Sequence, residues 1–181
     1  MLELYHGRPV DEAGRLEKEL RTYDLLDACH VEFQRVDHPP AADMETCEGI
    51  EQSLQGMICK NLFLCDRHGR EFYLLMIPGK KRFRTTEVSH RLGTTRLSFA
   101  GEEAMKELLD LTPGSVSVMG LMNDKENRVQ LVIDRDVVKE PLFCCHPCIN
   151  TSSIQFATED LLKVLLPAMG HKPVYLELPW G

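Results

Sequence analysis

No stretch of this sequence approaches the ~18 consecutive apolar residues of a membrane-spanning helix. The opening MLELYHGRPVDEAGRLEKEL has no basic segment followed by an apolar run, so neither a membrane anchor nor a secretory signal is expected. Positive charge is scarce as well. Lys and Arg number 21 against 28 Asp and Glu, a net charge of −7. That argues against general nucleic-acid binding, which draws most of its affinity from phosphate neutralisation, and leaves only a selective contact through a local basic patch. Neither the G-x-x-x-x-G-K-[ST] phosphate loop nor the G-x-G-x-x-G dinucleotide fingerprint is present. Internal repeats, low-complexity tracts and linkers are missing too. What is there is an ordinary globular mixture, 43% apolar and 27% charged over 181 residues, enough for one domain that buries roughly two-thirds of its unfolded surface. We therefore expect a soluble, cytoplasmic protein with a single domain spanning residues 1–181.

Cysteine is the residue type present in excess of any obvious need. Seven is an odd number, and without a secretory signal they are expected to be thiols in a reducing compartment. Three fall in FCCHPCINTSS, Phe143 to Ser153. A structural zinc site pairs two ligand clusters, each with two ligands about two to four residues apart, and only one cluster exists here. Adjacent Cys144 and Cys145 would point to opposite faces of a strand, and Cys47, Cys59 and Cys65 are neither paired nor joined by histidines. A cysteine nucleophile needs a base or a positive environment, and His146, though next to Cys145, is not placed by that adjacency to face it. No metal and no cofactor are expected, and the cysteines read as small packing atoms. His146, Asn150 and Thr151 are then polar groups on a turn after an apolar strand, either pocket residues or local turn caps with a satisfied histidine.

Periodicity sketches a mixed α/β (α+β) domain with one mixed, largely antiparallel sheet flanked by helices. Asp11 is placed to cap a helix over about 11–29 that carries Leu16, Leu20 and Tyr23 on one side. VEFQRVDHPP then alternates like a short strand, and a second helix covers Glu45 to Leu54. KNLFLCDRHGREFYLLMI reads as a hairpin turning at Gly69, and its second strand, Phe72 to Ile77, is so continuously apolar that it belongs at the centre of the sheet. A helix in RTTEVSHRLG, a brief strand in RLSFA and a helix in GEEAMKELLDL follow. Strands are expected around Val116–Val118, Val129–Ile133, Leu142–Cys145 and Val174–Leu178. Thr158 can cap a helix bearing Leu161, Leu162, Leu165 and Leu166 that ends at Gly170.

Three further features could carry chemistry. Lys60 opens an apolar strand, as a snorkelling edge residue or as a point charge holding a phosphate or carboxylate at the end of the sheet. In TPGSVSVMG, Thr112 to Gly120, Gly114 either serves a plain turn or lets backbone N–H groups approach a ligand. The run GKKRFR sets Lys80, Lys81, Arg82 and Arg84 around Phe83, a solvated face or an RNA contact.

VDHPPAADMET at 36–46, CKNLFL at 59–64, LTPGSVSVMGL at 111–121 and FCCHPCINTSSI at 143–154, in that order, resemble the prolyl-tRNA editing family. That family includes free-standing alanyl-tRNA(Pro) deacylases, YbaK-type cysteinyl-tRNA(Pro) deacylases and the editing insertion of bacterial prolyl-tRNA synthetases; the HPP block is closest to the alanine-specific branch. The resemblance implies an enzyme that hydrolyses a mischarged aminoacyl-tRNA, with tRNA(Pro) as partner and prolyl-tRNA synthetase as a candidate one. It implies that Lys60 is the essential lysine, engaging the terminal adenosine and its phosphate. Gly114 would begin the aminoacyl-holding loop that includes Ser115, while His146, Asn150 and Thr151 would line the amino-acid pocket. Val118 stands where the family's loop has proline. The basic run Lys80, Lys81, Arg82 and Arg84 would bind the tRNA.

Overall fold

The computed structural model describes residues 2–40, 44–56 and 59–180, with side chains in the second helix described only from residue 49 onward. Ala41 to Asp43 of the HPP block, and the side chain of Cys47, therefore lie outside the described residues. The expected sheet is in fact two. One is antiparallel and four-stranded, in the order β1 (Tyr5–His6), β2 (Gln34–Asp37), β8 (Ser152–Ala157), β7 (Leu142–Cys145). The other is five-stranded and mixed, in the order β5 (Ser98–Phe99), β3 (Cys59–Cys65), β4 (Phe72–Pro78), β6 (Val129–Asp134), β9 (Val174–Leu176).

β3 and β4 form the expected hairpin, Lys60 opposite Ile77 and Cys65 opposite Phe72, with Gly69 at φ +63 in the turn. β4 also pairs in parallel with β6, so it is central. Its unbroken apolar run follows from burial on both faces. Leu74 and Met76 enter the main core between the sheets, while Leu75 and Ile77 enter a second core on the far side. The main core joins Phe143, Cys145, Ile154 and Phe156 of the first sheet to Phe63, Leu131 and Ile133 of the second. Helix α1 (Glu17–Ala28) contributes Tyr23 and Leu26, and α4 (Glu102–Leu109) contributes Met105, Leu108 and Leu109. The far core is closed by Val88 of α3 (Thr85–Leu92), with Leu176 and Leu178 from the carboxyl end. Cys144 belongs to a third cluster with Val36, Ile50 and Leu54, the last two from α2 (Met44–Ser53) and its end. Adjacent Cys144 and Cys145 thus do face opposite ways.

Three local expectations are corrected, and one strand is added. Asp11 does not cap α1: its carboxylate accepts from Ala13 N at 3.0 Å, a local turn, and the helix begins six residues later. Val116–Val118 is not a strand, because Ser117 instead caps a 3-10 turn over Val118–Asn123, its hydroxyl accepting from Met119 N. Thr158 starts the last helix but donates its hydroxyl to Glu140 O at 2.6 Å. That helix runs through α5 (Thr158–Asp160), a π-turn (Leu161–Leu165) and α6 (Leu166–Ala168); Pro167 has no N–H to return to the preceding turn, which suits the widened π geometry. Finally, SSIQFA forms β8, a strand that hydroxyl-rich spacing concealed.

Candidate functional site

β7 ends at Cys145 and β8 starts at Ser152, and the six residues between them make a tight turn in which Cys148 takes φ +65. Few non-glycine residues adopt that conformation. Burial of Cys148 and a contact from Thr22 Oγ1 to its Sγ at 3.4 Å hold it there. The loop from Thr112 to Ser117 lies alongside. Ser117 Oγ donates to His146 O at 2.6 Å, and Ser115 Oγ donates to Thr112 O at 2.8 Å. Gly114 has φ +88, and a Cβ placed on it would sit 3.6 Å from Asn150 Nδ2. Loop and turn border a cleft of about 460 Å³ lined by Thr112, Ser115 and Cys148 to Thr151, with Arg15, Lys18, Glu19 and Asp37 on the opposite wall. Val118 is wholly buried in the main core.

His146 Nδ1 lies 2.8 Å from Ser152 O. A carbonyl oxygen only accepts, so Nδ1 carries the proton and Nε2 keeps a lone pair that can accept a bond. Burial lowers the pKa of His146, outweighing the upward effect of the Ser152 carbonyl, and neighbouring His38 adds a smaller lowering, so the neutral ring is favoured. The two imidazoles are 6.0 Å apart. His38 was not among the residues singled out, yet it is 7% exposed, its Nδ1 2.7 Å from Pro39 O and its Nε2 2.9 Å from Ser153 Oγ. The only signal in sequence was a histidine ahead of two prolines.

An ion-pair clamp closes the cleft's far wall. Arg15 reaches Asp37 at 2.9 Å and Glu19 at 2.7 Å, Ser152 Oγ donates to Asp37 at 2.6 Å, and Arg35 also bonds Asp37. Burial by itself would raise the Asp37 carboxyl, but the bonds from Arg15, Arg35 and Ser152 outweigh it and hold it well below the usual carboxylate range.

Lys60 is not brought to His146. Along β3 it shares a face with Leu62 and Leu64, which meet the far core, whereas Cys59 and Phe63 meet the main core that holds Cys145 and Cys148. Lys60 is exposed, and its Nζ donates to Lys81 O at 2.7 Å. The basic run also divides. Lys80, Arg82 and Arg84 are exposed, but Lys81 is fully buried, which corrects its assignment to a tRNA-binding face. Its ammonium sits 2.9 Å from Asp134, 2.7 Å from Asp136 and 2.6 Å from Leu178 O, with the Trp180 ring centroid at 4.8 Å. An ammonium enclosed by two carboxylates cannot also reach a phosphate.

Cys59, Cys144, Cys145 and Cys148 carry no sign of activation. Burial pushes Cys59 and Cys144 up to about 12 and Cys148 up to about 11, and holds Cys145 well above its ordinary value. Among the described residues, no three His, Cys, Asp or Glu side chains converge as metal ligands would.

The family model of the aminoacyl-tRNA editing domain matches residues 38–164, which includes His38, the Lys60 strand, the 112–118 loop and the 146–151 turn. The chain is 32% identical over 140 residues to the prolyl-tRNA editing protein ProX of Acetoanaerobium sticklandii, covering 77% of this chain and 85% of that protein. It is 31% identical over 170 residues to prolyl-tRNA synthetase associated domain-containing protein 1 of Danio rerio, covering 93% and 88%. A crystallised candidate trans-editing enzyme for prolyl tRNA synthetase superposes with a TM-score of 0.65 at 18% identity, over 91% of this chain and 99% of that one, and shares the fold.

Proposed function

The chain belongs to the aminoacyl-tRNA editing domain family, and from that premise we propose that it hydrolyses the ester of alanyl-tRNA(Pro), clearing a product that a synthetase pocket made for proline cannot strongly refuse. A missing methylene is worth only ~1–3 kcal/mol in such a pocket. A second, smaller pocket discriminates the other way, admitting an alanyl methyl and rejecting the prolyl ring by its bulk.

The observation that carries this reading is the clasp of the 112–117 loop on the 146–151 turn, sealed by Ser117 Oγ on His146 O at 2.6 Å. It supports a pocket built from backbone and neutral polar groups: Gly114 and Ser115 on one side, His146, Asn150 and Thr151 on the other. The packed start of the 3-10 turn at Val118 gives this loop a support where the family's proline is missing. An aminoacyl ester is already activated, so a placed water and stabilisation of the developing oxyanion suffice, and no strong nucleophile is required. Raised thiol pKa values fit that chemistry and speak against a thiolate mechanism. His146 Nε2 is a lone pair available to the substrate ammonium or to water. The vicinal ribose hydroxyl, as the family resemblance suggests, assists from the substrate side. Lys60 takes the terminal adenosine and its phosphate, the nucleotide passing over the start of β3 from the core-facing side of Cys59 to the outer side of Lys60.

The partner is mischarged tRNA(Pro), delivered from prolyl-tRNA synthetase, and the place of action is the cytosol where charging occurs. No helix among the described residues is long and apolar enough to cross a membrane. The deciding experiment is a deacylation panel of tRNA(Pro) charged with Ala, Cys, Ser or Pro. Hydrolysis of the alanyl ester ahead of the others, with the prolyl ester spared, is expected. Preferential cleavage of the cysteinyl ester would move the chain to the cysteine-specific branch, and no cleavage of any would leave a tRNA-binding domain without catalysis.

A further inference from the structure

The far-core face of β3 carries Lys60, Leu62 and Leu64 in a row, Lys60 exposed at the start of the strand and Leu64 wholly buried, and a pair of aromatic rings stands beside the last of them. Phe99 of the edge strand β5 pairs directly with Leu64 and so lies on the same face. It is 62% exposed, the second most exposed of the large hydrophobic side chains described. Its ring meets that of Phe83 edge-on, centroids 5.7 Å apart. Phe83 is half-buried against Leu62 and Leu64 in the far core, so the pair is rooted in the fold and only its outer ring is offered to solvent. Four cations lie close to these rings along the chain: Lys80, Arg82 and Arg84 in the loop that carries Phe83, and Arg96 in the segment leading into β5. All four are exposed, and none is in an ion pair among the described residues.

A single exposed ring is ordinary on a monomer's surface; what sets this one apart is its place next to exposed cations that pair with no carboxylate, in an acidic protein. A lipid surface would need a larger apolar area than one ring. An acidic peptide would use the cations and leave the ring idle. Unpaired nucleotides use both, because each base offers a flat π face for stacking and each phosphate a negative charge, whereas a duplex hides its bases. The row also points the right way. Lys60 and Leu64 are four residues apart on one strand, about 13 Å at strand spacing, a length that a few nucleotides cover.

Resting on the editing reading above, we propose that Phe83 and Phe99, with Lys80, Arg82, Arg84 and Arg96, form a stacking platform for the unpaired nucleotides at the 3′ end of the tRNA. The terminal residue lies at Lys60 and the preceding bases stack on Phe99. The chemistry recognised is a single-stranded RNA end, not the sequence of the stem.

The test separates binding from hydrolysis. A short unacylated single-stranded RNA ending in CCA and a blunt RNA duplex are titrated against wild type, Phe99→Ala, Phe99→Tyr and Arg82→Ala/Arg96→Ala. Phe99 is mostly exposed, so its replacements should keep the wild-type melting temperature, which is measured alongside. We expect the single strand to bind more tightly than the duplex. Phe99→Ala should weaken the single strand about tenfold and leave the duplex unchanged, Phe99→Tyr should restore binding, and the double arginine variant should flatten the salt dependence. Equal binding of the single strand by wild type and Phe99→Ala, or an equal loss on single strand and duplex, overturns the platform. In parallel, alanyl-tRNA(Pro) hydrolysis tests the reading beneath it. A wild type that fails to hydrolyse yet binds the single strand through Phe99 overturns the editing activity and leaves the platform standing. Normal hydrolysis with binding indifferent to Phe99 overturns the platform alone.

Discussion

The arginines near the amino end and the cations at 80–96 belong to one acidic chain but are used in opposite ways. Arg8 bonds Glu12, Asp24 and Asp27; Arg15 bonds Glu19 and Asp37; Arg35 bonds Asp37. These positive charges are neutralised by the fold, and those of Arg15 and Arg35 brace Asp37 in the wall of the cleft beside the 146–151 turn. Lys80, Arg82, Arg84 and Arg96 are exposed and stand outside any such pair among the described residues, which leaves them free to meet a polyanion. The lesson is that a cation's availability depends on carboxylates brought from afar. Arg15 finds Asp37 across 22 residues, and Lys81 finds Asp134 across 53. Lys81 has the sequence neighbours of one group and the environment of the other.

Lys81 is accordingly the sharpest place to break that contrast. Lys81→Met strands Asp134, itself wholly buried, and should destabilise the protein by about 3–5 kcal/mol in urea unfolding. Wild-type stability with weakened tRNA binding would return Lys81 to the exposed group. Next in size, Lys60→Ala should lower kcat/KM for alanyl-tRNA(Pro) about 100-fold without shifting the melting temperature, as loss of a charged hydrogen bond to substrate implies. Lys60→Arg should recover only part, since a planar fork does not replace a compact ammonium. Unaltered hydrolysis by Lys60→Ala would remove it from the site.

Arg15→Ala, from the neutralised group, should cost about 1–2 kcal/mol of stability, because Arg35 and Ser152 still hold Asp37. The same network sets a pH dependence. A carboxylate whose folded pKa is depressed contributes stability above its unfolded value, near pH 4, and loses it as pH falls through the lower folded value. The stability difference between wild type and Asp37→Asn should thus be constant at neutral pH and close only in strong acid; a difference that grows on acidification would contradict the pairing. The smallest effect belongs to the exposed group. Arg82→Gln/Arg84→Gln should raise KM several-fold, keep saturated turnover, and reduce the salt slope of binding by about one to two. A lowered melting temperature would show that these cations too have partners.

Elements whose burial is one-sided or two-sided throughout were legible from sequence: the β3–β4 hairpin, the central place of β4, α3 ended by Gly93 and α4. Strands that carry hydroxyls were not. β8 buries Ser152 and Ser153 because Asp37 and His38 receive their hydroxyls, partners that no local pattern announces. The split into two sheets was hidden for a similar reason, since β2 joins β8 across more than a hundred residues. At the site, the adjacency of the 112–117 loop and the 146–151 turn followed from the ordered motifs of a known family, while the clamp of Arg15 on Asp37 and the place of His38 required the fold. Lys60 was read correctly as an exposed strand-end lysine, but which face it takes depends on strand parity set by the packing of Cys59 and Phe63.

The enclosure of Lys81 also orders events in time. Its carbonyl is the ledge for the Lys60 ammonium, and its own ammonium rests on Leu178 O, 97 residues further along the chain. At about 5–20 residues per second of synthesis, those 97 residues take about 5–20 s to appear. Until Leu178 has emerged and folded back, Lys81 is held by Asp134, Asp136 and the Pro78 carbonyl alone, so a nascent chain carries every residue of the loop, the turn and the basic surface before the support beneath its lysine is complete. A chain that stops before Leu178 would keep its pocket motifs and lose one of the contacts that fix the support of its lysine.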